Sequence, residues 1–252
     1  MAKIDTLRRF ALWDIDGTMS KEITHFKLVE YLVKMGLFTQ EMADVTKGYL
    51  NDYQLAKKGL LEYEYTYEQF INDLLISFAQ GLAGCKASDV QKEVSNFFVD
   101  NQGEMFYPYV KSTMVALKEE DVESVLVTGN TQFTVKAVAS LFGVQEDRQI
   151  SSIIGVNDDG YITGNLTTAL AESSQKVEAI KGLIKGLGKV VVVAAFGDSS
   201  GDVGMLELAK FAFGINNDGN TPSGLNVVEG LLVPTSDELN RLESLLKKEQ
   251  LV

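Results

Sequence analysis

Two aspartates separated by one residue follow an apolar segment near the start of the sequence. Phe10-Ala11-Leu12-Trp13 runs directly into Asp14-Ile15-Asp16-Gly17-Thr18. A loop at the end of a buried strand can turn both carboxylates toward one pocket, where they repel each other unless a cation joins them. Because Asp-Gly is also a common turn pair, this motif alone is explained equally well by an ordinary turn.

Three further polar groups follow later in the chain. Thr128-Gly129-Asn130 combines a hydroxyl, a glycine and a helix start, which together can bind an anion. Lys176 lies at the start of a predicted helix, where its charge opposes the helix dipole, and this placement indicates a function. Gly197-Asp198-x-x-x-Asp202 places two carboxylates where they can bind a hard cation. Taken singly, these features are also explained by helix capping or by a solvated lysine.

Apolar runs that end in polar residues predict the strands that would position these groups. Strands that alternate with helices indicate an α/β fold with a Rossmann-like, mostly parallel sheet and helices on both faces. Ligands bind beyond the carboxyl ends of such strands, where all four polar groups are expected. A hairpin is predicted over Ser152–Leu166. The predicted strands are Phe10–Trp13, Ser124–Val127, Val190–Phe196 and Ala212–Ile215, and the predicted helices are Phe133–Phe142, Val177–Leu187, Val203–Ala209 and Leu239–Leu246.

Residues 20–105 interrupt this alternation. Apolar residues recur there with helical spacing, and no proline occurs before Pro108. We therefore predict an all-helical segment, residues 20–105, inserted after the first strand of an α/β core that comprises residues 1–19 and 106–252. Tyr63, Tyr65 and Tyr67 lie in this segment, and we interpret them as packing residues in preference to pocket residues.

The composition excludes several classes of protein. The net charge of −12 disfavours nucleic-acid binding and binding to anionic membranes. The longest apolar run, Val190–Phe196, is far shorter than the roughly 20 residues that span a bilayer, so no membrane association is expected. A single cysteine, Cys85, cannot form an internal disulfide, which is typical of a cytoplasmic protein. The single histidine, His25, argues against zinc and serine-hydrolase sites, and we interpret it as structural.

Taken together, the four motifs resemble those of the haloacid dehalogenase superfamily of phosphotransferases, in which they occur in this order. The resemblance covers residues 8–19 and roughly 106–230. It implies an enzyme that hydrolyses a small phosphorylated metabolite, with Mg²⁺ as the cofactor. The matching residues, in chain order, are Asp14, Asp16, Thr18, Thr128, Lys176, Gly197, Asp198 and Asp202.

The resemblance also implies roles for these residues. Asp14 would attack phosphorus to form an aspartyl-phosphate, and Asp16 would act as general acid and then as general base. Thr128, the Gly129 amide and Lys176 would bind the phosphate oxygens. The Mg²⁺ ligands would be the Asp14 and Asp198 carboxylates and the Asp16 backbone carbonyl, while Asp202 would hold Lys176 or a metal-bound water.

The helical segment resembles the type-1 cap of the phosphoserine-phosphatase-like branch of the superfamily. In that branch a glutamate at the entry to the cap contacts the substrate, and Glu22 is the candidate here. Phosphoserine phosphatases also use a cap arginine to hold the substrate carboxylate. Residues 20–105 contain no arginine, so phosphoserine itself is disfavoured. The oligomeric state is not predicted.

Three other functions share either the fold class or a reactive aspartate at the end of a strand. A phosphomutase would contain all four motifs and differ only in its acceptor. A non-hydrolytic phospho-acceptor, such as a signalling receiver domain, needs neither the inserted segment nor a second aspartate at Asp16. A 2-haloacid dehalogenase has no use for Asp16 as a general acid.

Overall fold

The computed structural model describes residues 7–60, 62–216, 220–239 and 241. The first strand and the helices of the inserted segment are β1 (Arg8–Trp13), α1 (Thr24–Lys34), α2 (Gln40–Lys57), α3 (Tyr67–Gly81) and α4 (Ala87–Met105). The elements that follow are α5 (Pro108–Glu119), β2 (Val122–Thr131), α6 (Gln132–Phe142), β3 (Gln149–Val156), β4 (Ile162–Thr168), α7 (Ser173–Ile184), β5 (Val190–Gly197), α8 (Val203–Glu207), β6 (Phe211–Gly214) and α9 (Ser236–Leu239).

The six strands form one sheet in the order β4-β3-β2-β1-β5-β6. Every neighbouring pair is parallel except β3 and β4, which form the predicted antiparallel hairpin. The central strand β1 pairs with both β2 and β5, so that Leu12 lies opposite Val125 on one side and Ala195 on the other. The carboxyl ends of β1, β2 and β5 therefore meet at one edge of the sheet.

Alternate residues of β1 pack into two separate hydrophobic cores. Ala11 and Trp13 belong to the core beneath α1, α4, α5 and α6, whereas Phe10 and Leu12 belong to the core beneath α7 and α8. Because successive side chains of a strand point to opposite faces, a strand covered on both faces must be apolar throughout. Helices thus cover both faces of the sheet, and the predicted fold class is confirmed.

Four helices and no strand are described between β1 and α5. Helix α3 begins with a capping box between Thr66 and Gln69 and buries Phe70 and Phe78. The two ends of the segment meet, since the Lys21 amide donates to the Met105 carbonyl (2.9 Å). The connection between α3 and α4 is also hydrogen-bonded to the β3–β4 hairpin, where the Ile162 amide donates to the Cys85 carbonyl (2.9 Å).

The last predicted helix, Leu239–Leu246, lies mostly outside the described residues. Within the described part, α9 occupies Ser236–Leu239 and ends where that prediction begins. Among the described residues, no helix is both long enough and apolar enough to cross a membrane. The division of the chain into a core (1–19 and 106–252) and a cap (20–105) stays a prediction.

Candidate active site

Residues from distant parts of the chain line one cavity at the carboxyl edge of the sheet. Asp14 and Asp16 follow β1, Thr128 and Gly129 lie near the end of β2, and Lys176 lies in α7. Loops and helix starts at this edge necessarily converge, because the parallel strands all end there. The structure therefore brings together five of the residues that the sequence singled out.

Lys176 is buried between two carboxylates. Its Nζ donates to Asp14 Oδ1 at 2.9 Å and to Asp202 Oδ1 at 2.7 Å. Burial by itself would lower the pKa of Lys176, but the charges of Asp14 and Asp202 and the hydrogen bonds to both outweigh burial and raise the pKa. The lysine is therefore charged at neutral pH, with its head group held next to Asp14.

Asp202 uses both carboxylate oxygens to hold its neighbours. Besides the bond from Lys176, its Oδ2 accepts hydrogen bonds from the Asp198 amide and from the amide and hydroxyl of Ser199, all at 3.1 Å. A Cβ at Gly197 would lie 2.5 Å from the Asp202 Cβ, so only glycine permits this approach. Asp202 thus orients Lys176 and also positions the loop that carries Asp198.

Asp14, Asp198 and Asp202 form an acidic cluster whose ligand oxygens lie within 4.8 Å of one another. Burial raises the pKa of Asp14 to about 7, although Lys176 opposes the rise. Burial, followed by the charges of Asp202 and Asp14, raises the pKa of Asp198 well above its usual value. Three carboxylates with one lysine leave a deficit of positive charge, and hard oxygen ligands of this kind suit Mg²⁺.

The loop after β1 packs directly against Asp198. The Thr18 hydroxyl donates to Asp198 Oδ1 at 3.2 Å. Gly17 has a φ of +80°, and a Cβ there would lie 2.2 Å from Asp198 Oδ2. Glycine is therefore required at this turn both for the backbone conformation and for the approach of the carboxylate that completes the acidic cluster.

Asp16 occupies a separate hydrogen-bonding site beside Asp14. Its Oδ1 accepts from the Thr24 amide at 2.7 Å and its Oδ2 from Asn130 Nδ2 at 2.9 Å. Burial raises the pKa of Asp16, against the lowering effect of these hydrogen bonds. Thr24 is the first residue of α1, so Asp16 links the edge of the sheet to the helical segment.

Asn130 is a site residue whose contacts the sequence analysis did not predict. We grouped it with Thr128 and Gly129 in an anion-binding motif ahead of the predicted helix Phe133–Phe142, but β2 continues through it to Thr131 before α6 begins. The Asn130 amide group instead connects Asp16 to the Thr24 hydroxyl, to which it donates at 3.2 Å. No local sequence signal distinguishes this contact from helix capping, because it depends on the packing of α1 against the sheet.

The helical segment forms a mostly apolar wall of the cavity. Tyr67 belongs to this wall and is partly buried, so the packing interpretation is incomplete for it. Burial, together with the charges of Asp198, Asp14 and Asp202, raises the pKa of Tyr67 well above its usual value, and its hydroxyl stays protonated. Tyr63 is exposed, and the Tyr65 hydroxyl donates to Asp73 at 2.8 Å. The remaining wall residues from this segment are Ile23, His25, Ile71, Leu74 and Leu75.

Glu22 is a predicted site residue that the structure places neither at the cavity nor in the acidic cluster. Its side chain is half exposed and forms an ion pair with Lys27 on the surface. The next residue in the chain, Ile23, lines the cavity instead. The side chain at the entry to α1 that reaches the cavity is therefore Ile23, and not the glutamate that the resemblance suggested.

The haloacid dehalogenase-like hydrolase family matches residues 11–207, which is more than half of the chain. The chain therefore belongs to this family of hydrolases, and the resemblance predicted from the four motifs is confirmed. No curated protein matches the sequence.

Solved structures with the same fold cover nearly the whole chain at low identity. A protein of unknown function from Bordetella pertussis Tohama I is 19% identical with a TM-score of 0.62, and the alignment covers 97% of each chain. A substrate-bound phosphoserine phosphatase is 17% identical with a TM-score of 0.58, with 96% of this chain and 98% of that chain covered. A phosphoserine phosphohydrolase-like protein from Francisella tularensis subsp. tularensis SCHU S4 is 14% identical with a TM-score of 0.61, with 93% and 99% covered.

Proposed function

We propose that this protein is a Mg²⁺-dependent phosphatase that hydrolyses a small phosphomonoester through an aspartyl-phosphate formed on Asp14. The observation that carries the proposal is the buried Asp14 carboxylate, held at 2.9 Å by Lys176 within the acidic cluster and open to a cavity. Membership of a hydrolase family and likeness in fold to phosphoserine phosphatases support this reaction class. The single cysteine, Cys85, supports a cytoplasmic location.

Asp14 is the nucleophile in this mechanism. A carboxylate that approaches a phosphate monoester meets a repulsion of about 4 kcal/mol for two unit charges 4 Å apart at an effective dielectric constant of 20. Lys176, which contacts Asp14 Oδ1, offsets part of this repulsion and keeps the carboxylate oriented. Thr128 and the Gly129 amide lie on the same cavity wall and would bind the phosphate oxygens.

Mg²⁺ would be held by the carboxylates of Asp14 and Asp198 together with the backbone carbonyl of Asp16. When bound, the ion supplies positive charge to the phosphate oxygens and orients the ester for in-line attack. Asp202 contributes by positioning, because both of its oxygens already accept hydrogen bonds from Lys176, Asp198 and Ser199. These bonds hold Asp198 and Lys176 on either side of the nucleophile.

Asp16 would transfer protons in both halves of the reaction. Burial raises the pKa of Asp16, which favours a carboxyl group that can protonate the leaving alkoxide. After the alcohol leaves, the same carboxylate can accept a proton from the water that attacks the aspartyl-phosphate. The bonds from the Thr24 amide and Asn130 keep both Asp16 oxygens oriented.

The decisive experiment measures phosphate release from a panel of phosphomonoesters with Mg²⁺, for the wild type and for Asp14→Asn. We expect turnover by the wild type and a loss of at least about 10⁴-fold in the variant, since the covalent route is removed. Glu22→Gln is the matched control, because it also neutralises one carboxylate but lies outside the cavity.

Three results would contradict parts of the proposal. Unchanged turnover by Asp14→Asn would exclude Asp14 as the nucleophile. Isomerised sugar phosphate without free phosphate would indicate a phosphomutase. A stable aspartyl-phosphate without turnover would indicate a signalling phospho-acceptor.

A further inference from the structure

The cavity wall contributed by the helical segment carries no charged residue. It consists of Ile23, Tyr67, Ile71, Leu74 and Leu75 with one imidazole, that of His25. The charged cavity residues Asp14, Asp16 and Lys176 come instead from the sheet edge and α7. A phosphoester whose phosphorus faces Asp14 would therefore direct its alcohol moiety toward this uncharged wall.

Besides the Tyr67 hydroxyl, the wall contains the polar ring of His25, which has an unsatisfied atom. The residue is 2% exposed, and its Nε2 has no hydrogen-bond partner among the residues that the structure describes. Its ring packs against Phe78, with centroids 4.4 Å apart. A buried polar atom that lacks a partner is destabilising, and the His25 side chain lines the cavity, where a bound ligand can offer it a hydrogen-bond partner.

His25 is also uncharged. Burial lowers its pKa to about 3. The neutral ring offers one donor and one acceptor, and a hydroxyl group, which can both donate and accept, complements either tautomer.

We propose that His25 binds a hydroxyl group of the substrate's alcohol moiety, so that the substrate is the phosphomonoester of a short, uncharged polyhydroxy alcohol. This inference rests on the proposed function, because it concerns the leaving group of that reaction. Ile71, Leu74 and Leu75 would contact the carbon chain, and His25 would distinguish an alcohol that carries a further hydroxyl from one that does not.

Charged leaving groups fit this wall less well. A carboxylate would be buried without a cation, since Lys176 already contacts Asp14 and Asp202. An ammonium group has three donors, whereas the imidazole offers one acceptor. The cavity is small, with a volume of about 50 Å³, and this favours a short alcohol moiety over a long one.

The test compares kcat/KM for glycerol 1-phosphate and n-propyl phosphate, which share a three-carbon chain and differ in two hydroxyl groups. We expect the wild type to prefer glycerol 1-phosphate by at least about tenfold, because the propyl ester leaves His25 unpaired. O-Phosphoserine is a third substrate, and we expect its kcat/KM to be at least about tenfold below that of glycerol 1-phosphate.

Two variants test whether His25 causes the preference for glycerol 1-phosphate over n-propyl phosphate. His25→Leu should lower the glycerol-to-propyl ratio of kcat/KM by about tenfold. Thr113→Val is the matched control, because the Thr113 hydroxyl is also buried and unpartnered but does not line the cavity, and its ratio should equal that of the wild type. Thermal unfolding of both variants establishes that they are folded. The wild-type preference tests the substrate class even if His25→Leu does not fold.

The outcomes separate this inference from the proposed function. Turnover of both esters with no preference, or a preference that His25→Leu retains, would overturn the inference and leave the phosphatase activity standing. A preference for O-phosphoserine would overturn it in the same way. Failure of the wild type to hydrolyse any phosphomonoester would overturn the proposed function and, with it, the inference.

Discussion

The buried lysine of the site is held by charges that would repel one another in its absence. Lys176 Nζ contacts one oxygen of Asp14 and one of Asp202, and all three side chains are nearly inaccessible to solvent. A buried ion pair is costly to form but more costly to break, because removal of one partner leaves the other charge unpaired in a medium of low dielectric constant. The lysine is therefore important for stability, in addition to the phosphate-binding role that we propose for it.

Lys176→Met should destabilise the metal-free protein by about 3 kcal/mol or more, because two buried carboxylates lose their cation. Urea unfolding in the presence of a chelator measures the effect. Lys181→Met is the matched control, since Lys181 lies on the same helix in an exposed pair with Glu178, worth about 1 kcal/mol or less. Equal losses of unfolding free energy in the two variants would show that Lys176 does not stabilise the fold by offsetting the repulsion between Asp14 and Asp202.

His25 makes folding stability depend on pH. Its pKa is lowered to about 3 in the folded protein, against the ordinary histidine value of 6.5, so the unfolded chain binds more protons between these values. Stability from the neutral ring is complete above pH 6.5 and decreases as the pH falls.

Between pH 8 and pH 5, the wild type should lose about 2 kcal/mol more unfolding free energy than His25→Leu, which has no imidazole to protonate. Denaturant unfolding of both proteins at the two pH values measures this difference. The chain has only one histidine, so other imidazoles do not contribute. An equal pH dependence of the two proteins would contradict the burial of a neutral ring.

At the scale of elements, the site depends on short connections that bring strand ends close together. The turn after β1 reaches Asp198 because Gly17 has no side chain, and Asp202 reaches back to the loop after β5 because Gly197 has none. A glycine at such a position is required for a contact between segments that are far apart in the sequence. A glycine in an exposed turn, by contrast, is required only for the local backbone conformation.

Gly17→Ala should abolish most Mg²⁺-dependent activity, since the new Cβ would lie 2.2 Å from Asp198 Oδ2 and displace that carboxylate. Gly36→Ala is a matched control with a similar φ of +72° and no atom within 4 Å of the added Cβ. Both variants carry backbone strain of about 1–2 kcal/mol, but only Gly17→Ala should lose activity. Activity assays and thermal unfolding of the pair distinguish strain from the clash.

Part of the fold and site could be predicted because it leaves a local pattern in the sequence. Strands covered on both faces are apolar throughout, as in Phe10–Trp13, and the acids that follow them mark the carboxyl edge. The predicted strand Ser124–Val127 ends short of Asn130, whereas β2 continues through that residue to Thr131. Local patterns indicate where polar groups follow strands, but the partner of each group depends on contacts across the chain.

For the whole molecule, the acidic cluster links metal binding to stability. A ligand that binds only the folded state stabilises it by RT ln(1 + [L]/Kd). Asp14, Asp198 and Asp202 lie together only in the folded chain, because they come from widely separated positions. A metal ion bound to this cluster would therefore favour the arrangement in which β1 and β5 are paired.

Mg²⁺ at about 100 times its Kd should raise the free energy of unfolding by about 2.7 kcal/mol and the Tm by roughly 5–10 °C. Thermal unfolding with Mg²⁺ and with a chelator measures the shift. Asp198→Asn should abolish most of it, whereas Glu22→Gln, an acid away from the cluster, should retain it. An equal Mg²⁺-induced rise in the Tm of Asp198→Asn would show that the ion binds at another site.

The sequence by itself determined the α/β fold and the residues that meet at the edge of the sheet, because an apolar strand followed by acids is a local pattern. Tertiary structure decided the contacts that complete the cavity. Asn130 donates a hydrogen bond to Asp16, Tyr67 and His25 lie in the cavity wall, and Glu22 lies outside the cavity. These contacts depend on how the helical segment packs against the sheet. That packing is set by many weak apolar contacts between distant residues, and no short stretch of sequence records it.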